Sequence, residues 1–153
     1  MRRSVGIGVV IIGGGVLAGV GSAVDGSQGH AFECNDATLR GTYGIQMTGS
    51  RPLAEGGTEP VIGVALRTYD GAGNYTQIDN LKGAVTGIVP DRPGFGTYQV
   101  NPDCTAVGRL EPAPGIVVEE RMVIVGDGRE IRAISASPLP VMISGVQKRI
   151  DRR

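Results

Sequence analysis

From Leu39 onward the chain alternates apolar and polar positions in short runs broken by glycine, proline, asparagine and aspartate. In LRGTYGIQMT, Leu39, Tyr43, Ile45 and Met47 share one face, and Arg40, Thr42, Gln46 and Thr48 share the other. That period of two predicts a half-buried strand. A second run, Val61 to Tyr69, places Ile62, Val64 and Leu66 on its apolar face. Asp70-Gly71-Ala72-Gly73-Asn74 then reads as a tight hairpin turn, because glycine and asparagine adopt positive φ readily. Further strands are expected over Tyr75–Leu81, Ala84–Val89, Phe95–Val100, Thr105–Glu111, Ile116–Val125, Arg129–Ser135 and Val141–Lys148, with SRPLAEGGTEP and PDRPG as loops.

Short turns between sequential strands make antiparallel neighbours. The predicted fold is all-β, a single antiparallel meander of about eight or nine strands closed into a small β-barrel, with a β-sandwich as the alternative. Closure hides sheet edges. It also suits the glycines inside the strands, at Gly41, Gly44, Gly63, Gly87, Gly96, Gly108 and Gly145, which permit bends and close backbone approach.

The first 23 residues form a separate object. Two arginines, an uncharged apolar run, and Gly21 and Ala23 ahead of a cut after Ala23 have the layout of a secretory signal peptide. An uncleaved membrane anchor is the alternative, weakened by its many glycines. The expected organisation is a signal peptide at 1–23, a small polar lead-in at 24–33, the barrel at 34–150 and a basic tail at 151–153. Export places the mature protein in the periplasm or outside the cell, with no stable membrane insertion after cleavage.

Cys34 and Cys104 both follow the signal, and in an oxidising compartment an even count reads as a disulfide. Cys104 lies in the turn NPDCT, so the bond pins the N-terminal segment across a hairpin tip. A redox or catalytic thiol would need a neighbouring base or a CxxC spacing, which the chain lacks.

Charge and composition exclude several functions. The chain has 15 basic and 15 acidic residues, so it has no field to gather nucleic acid. Removing Arg2 and Arg3 with the signal leaves 13 basic residues against 15 acidic, which is close to neutral. His30 is the single histidine and sits in the lead-in, which leaves no basis for a multi-histidine metal site or a Ser-His-Asp triad. No metal and no cofactor are expected. The GxG groupings do not open a helix after a strand, so they make no dinucleotide site. Asn74-Tyr75-Thr76 fits a glycosylation acceptor only in a eukaryotic secretory route.

The stretches CNDATLRGTYG, YDGAGNYT, GTYQVNPDCT and VIVGDGREIRAISASP resemble a group of uncharacterised exported bacterial single-domain β proteins. In that group a cysteine precedes Leu-x-Gly-x-Tyr and a second follows Val-Asn-Pro-Asp. The resemblance implies fold and export. In outline it is also similar to calycin or allene-oxide-cyclase-like barrels, which bind or transform apolar molecules in the lumen; architecture alone does not transfer that function.

Glu120 shares a period-two face with Ile116, Val118, Met122 and Ile124. Turned inward, it places a carboxyl group among apolar neighbours, where desolvation favours the neutral acid; turned outward, it gives the interior to Val117, Val123 and Val125. Tyr43 and Tyr98 are candidate lumen hydroxyls or core residues, and Met47 and Met122 suit an adaptable apolar pocket or fill core gaps. Arg67 and Arg109 could meet an anion, but exposed strand arginines are the leading reading. The leading expectation is a barrel that holds a small apolar molecule or a partner without catalysis, with Tyr43, Met47, Tyr98, Glu120 and Met122 as the ligand-binding candidates. One rival is a cofactor-free isomerase or cyclase using Glu120, Tyr43 and Tyr98 on an apolar substrate. A structural envelope protein is the other, and it needs an exposed apolar patch.

Overall fold

A computed structural model describes residues 33–150. The expected signal segment, most of the lead-in with His30, and residues 151–153 lie outside the described residues. A short 3-10 helix, Asp36–Leu39, precedes β1 Gly41–Pro52, β2 Thr58–Tyr69, β3 Asn74–Gly83, β4 Gly87–Val100, β5 Thr105–Ala113, β6 Ile116–Val125, β7 Glu130–Ser137 and β8 Met142–Arg149. Each strand is antiparallel to the next and β8 returns to pair with β1, so the eight strands form a closed barrel rather than a sandwich. Closure gives the first and last strands a partner on both sides.

Of the expected strand Ala84–Val89, Ala84–Thr86 form the turn after β3, and Gly87–Val89 join the expected Phe95–Val100 in the single strand β4, which runs through the PDRPG segment read as a loop. The reason lies in the pairing. The β4–β5 ladder covers only Phe95–Val100, so Gly87–Gly94 is paired on the β3 side alone. Pro90 and Pro93 lack an N–H donor and are tolerated on such an edge. Asp91 has φ 46° beside a register shift between Asp79 and Leu81, the signature of a bulge.

Leu39, expected in the first strand, ends the 3-10 helix and is fully buried. Asn35 starts that helix because its Oδ1 accepts from the Ala37 N–H while Thr38 Oγ1 accepts from the Asn35 N–H. The helix plugs one end of the barrel. Tyr98 Oη donates to Asp36 O at 3.0 Å, the Val100 N–H donates to Asp36 Oδ1 at 2.8 Å, and Arg149 Nη2 donates to Thr38 O at 2.7 Å. The Cys34–Cys104 disulfide, with Cα atoms 5.0 Å apart, ties the start of this plug to the β4–β5 turn. Leu39, Tyr43, Tyr69, Tyr98, Ile124 and Ile131 pack into one core cluster at this level. Tyr43 and Tyr98 each meet Tyr69 edge to face, at 5.3 and 5.1 Å between ring centroids.

Candidate functional site in the barrel lumen

The orientation of β2 reverses the expectation from its hydrophobic pattern. Ile62, Val64 and Leu66 face outward, 61%, 57% and 48% exposed, and Glu59, Val61, Ala65, Arg67 and Tyr69 are buried inside. Arg67, read as an exposed strand arginine, is 2% exposed. The lumen is narrow here. A Cβ on Gly63 would stand 2.9 Å from both Asn80 O and a Leu81 methyl, so the small residues Gly63 and Ala65 fit inside where Val64 and Leu66 would not.

The inward face of β2 meets Glu120 on β6. Arg67 Nη1 donates to Glu120 Oε2 at 2.9 Å and Nη2 donates to Oε1 at 3.0 Å, a two-pronged ion pair. Tyr75 Oη also donates to Glu120 Oε2, at 3.1 Å. Arg67 Nε donates to Gln77 Oε1 at 2.8 Å, and Gln77 Nε2 donates onward to Asp79 Oδ2 at 2.9 Å. Asp79 in turn accepts from Arg92 through both oxygens, each at 3.0 Å. The Arg67 guanidinium also stacks over the Tyr75 ring, 4.2 Å from its centroid. Arg67 and Arg92 balance Glu120 and Asp79, so the network is formally neutral.

These contacts decide the protonation states. Burial opposes the charge on Arg67, but the field of Glu120, with that of the Tyr69 and Tyr75 hydroxyls, outweighs it and holds the guanidinium pKa above its ordinary value. Burial pushes the Tyr69 and Tyr75 hydroxyls upward, offset only in part by Arg67, so both remain neutral donors. Glu120 therefore faces inward but meets three donors, two from Arg67 and one from Tyr75, in place of the purely apolar neighbours that the inward orientation implied.

Next to this network is a cavity of about 70 Å³. Ile45, Met47, Leu110, Val118 and Ile143 supply much of its apolar lining, and Arg67, Gln77, Asp79, Arg92, Glu120, Ser135 and Gln147 supply its polar lining. A drug-sized ligand needs several hundred Å³. This space takes the end of a molecule. A larger groove, about 800 Å³, lies on the outer face of β5, β6, β7, β8 and β1, where Val107, Val123, Ile134 and Val146 alternate with Arg121 and Arg132.

Of the candidates named from sequence, Met47 and Glu120 line the lumen cavity. Met122, 2% exposed, packs in the core cluster with its sulfur 3.9 Å from Tyr69 Oη. Tyr43 and Tyr98 are at the plugged end. Tyr43 Oη donates to Gly128 O and accepts from Arg149, and Tyr98 Oη is spent on Asp36 O. Burial raises the pKa of both hydroxyls. Tyr43, Tyr98 and Glu120 are thus not brought together. The polar cavity residues missed from sequence are Arg67, Gln77, Asp79, Arg92, Ser135 and Gln147. One signal for Arg67 was present, because it is the sole charge in the otherwise apolar run VIGVALRTY. Arg109 is exposed, as expected. Among the described residues no cluster of three metal-ligating side chains occurs, and no helix is long and apolar enough to cross a membrane.

No protein-family model matches the chain, and no curated protein sequence matches it. Among solved structures, the chain is similar to an S-type phycobiliprotein lyase from Guillardia theta, with TM-score 0.44 and 10% identity over 77% of this chain and 92% of that one.

Proposed function

We propose that the protein is an exported, disulfide-pinned barrel that binds one end of a small, largely apolar molecule in its lumen, without catalysis. One observation carries this reading: apolar side chains from β1, β5, β6 and β8 and the buried Arg67–Glu120 pair converge on a single lumen cavity. Apolar walls with a few convergent polar groups are the usual make-up of a small-molecule site. The isomerase or cyclase alternative has less support. It requires free acid–base groups, whereas Glu120 is occupied by three donors and the Tyr43 and Tyr98 hydroxyls by backbone carbonyls at the plugged end. In this reading the signal segment is cleaved after Ala23 and the protein works in the periplasm or outside the cell.

The test is native mass spectrometry of the protein purified from its own host, with and without reductant, followed by organic extraction of whatever dissociates. A reproducible small adduct at one per chain is expected. A clean, ligand-free mass would sink the ligand-binding reading. The intact mass also reports the Ala23 cut.

A second reading, a structural envelope protein, has its own observation. Ile62, Val64, Leu66, Ile78 and Phe95 are all about half exposed or more on neighbouring strands β2, β3 and β4. Its expected outcome is an envelope-associated protein that salt does not release and that substitution of Val64 and Ile78 by threonine does release.

A further inference from the structure

Tyr69 fixes the orientation of the Gln147 carboxamide. The Tyr69 hydroxyl accepts from Arg67 Nη1 at 3.2 Å and donates to Gln147 Oε1 at 2.9 Å, a much closer acceptor than Met122 Sδ at 3.9 Å. The amide nitrogen, Nε2, is then directed elsewhere, and among the described residues it makes no hydrogen bond. Gln147 is 2% exposed, yet no side-chain nitrogen or oxygen among the described residues is both sealed off and unpartnered. Nε2 therefore borders open space, and the space that Gln147 lines is the lumen cavity.

Most other polar side chains of the cavity are engaged, Arg92 through Nε and Nη2. Every Arg67 nitrogen donates, Glu120 accepts three bonds, Gln77 uses both ends of its amide, and both Asp79 oxygens accept from Arg92. Ser135 Oγ donates to Val141 O and accepts from the Ile143 N–H. Gln147 Nε2 thus stands in a charge-balanced wall as a buried nitrogen with no hydrogen-bond partner among the described residues. A charged ligand would enter uncompensated, which is costly in a buried site. A buried donor left unpaired is also costly, so an acceptor is favoured over a hydrocarbon.

Building on the lumen-binding reading, we propose that the ligand is an uncharged molecule that presents a carbonyl or ether oxygen to Gln147 Nε2 and lays an apolar chain along Ile45, Met47, Leu110, Val118 and Ile143. The cavity, about 70 Å³, exceeds the roughly 30 Å³ share of one water and is smaller than the roughly 150 Å³ cavity that holds benzene. It accepts the functional group and first carbons, and the rest of the chain extends beyond it.

Three probes separate the possibilities: methyl butyl ketone, its isostere with a methylene in place of the carbonyl oxygen, and hexanoate. Each is titrated into the isotope-labelled full chain while the Gln147 side-chain amide signals are followed. Ketone binding about tenfold tighter than the isostere, with movement of the Gln147 amide signals and no hexanoate binding, is the expected result. The Gln147→Met variant should lose that tenfold preference, binding ketone and isostere about equally. The wild-type comparison stands alone if the variant does not fold. Equal binding of ketone and isostere with unmoved Gln147 signals overturns the proposed ligand class and leaves lumen binding standing, as does preferred binding of hexanoate. Failure of all three to bind, with only water at the amide, overturns both.

Discussion

Arg67 on β2 and Glu120 on β6 join opposite walls of the eight-strand barrel, 53 residues apart in sequence, through two hydrogen bonds of 2.9 and 3.0 Å. The pair is a strut across the lumen and one wall of the cavity. Its side chains are 3% and 13% exposed, so little solvent screens it.

Breaking this strut on one side leaves the other charge buried and unpaired. Arg67→Met or Glu120→Leu alone should destabilise the barrel by about 3–5 kcal/mol, whereas the double variant should cost clearly less than the sum. Urea denaturation of the set at neutral pH measures this. Additive losses would refute the coupling.

Glu59 should make the fold sensitive to acid. Its carboxylate accepts from Thr86 Oγ1 at 2.6 Å, from the Thr86 and Val85 N–H groups at 3.0 and 2.8 Å, and from Arg51 Nε at 2.9 Å. The Thr86 hydroxyl is the largest influence. Together these bonds outweigh burial and hold the pKa at about 2, down from 4.5. A depressed folded-state pKa means that the unfolded chain binds the proton first as pH falls. The contribution is therefore complete above pH 4.5 and disappears as the pH approaches about 2. Thermal melts across that window should show a fall that Glu59→Gln flattens. An identical slope in the variant would remove Glu59 as the cause.

The Cys34–Cys104 bond closes a loop with a sequence separation of 70. Chain entropy assigns roughly 4 kcal/mol to a loop of that size. The double variant Cys34→Ser, Cys104→Ser should lose most of that in equilibrium unfolding, and should match the reduced wild type. A loss below about 1 kcal/mol would mean that the plug is held by Tyr98, Val100 and Arg149 without covalent help.

Two glycines should behave differently. A Cβ on Gly96 would run into Arg109 O and the Tyr75 ring, while one on Gly44 would meet its nearest neighbour, an Ile150 methyl, at an ordinary 3.7 Å. Gly96→Ala should lower stability by about 1–3 kcal/mol or more, and Gly44→Ala should be close to neutral. Melting temperatures of the two variants decide it; equal values would contradict the tight seat of Tyr75 on Gly96.

Local chemistry was legible where a few adjacent residues decide the outcome. DGAGN turns the chain because Asp70 Oδ1 accepts from the Ala72 and Asn74 N–H groups at 2.7 and 3.0 Å, a contact that spans only the turn itself. The disulfide was legible because two cysteines allow one pairing. PDRPG was misread because proline signals a missing donor, and whether that donor is needed depends on β5, which pairs with only part of β4.

Period-two alternation, turn residues and the cysteine pair carry the β-barrel class, the hairpin positions and the pinned N-terminal segment, because each rests on neighbours in sequence or on a forced choice. They do not say which face of β2 points inward. Both of its faces are largely apolar, and the hydrophobic pattern alone favours Ile62, Val64 and Leu66 inside. The folded barrel selects the other face. A buried guanidinium becomes tolerable once Glu120, Gln77 and Tyr75 arrive from other strands to satisfy it, and the narrow lumen admits Gly63 and Ala65. The candidate site exists only through that choice, since a buried charge is stabilised by distant partners and no local pattern encodes them.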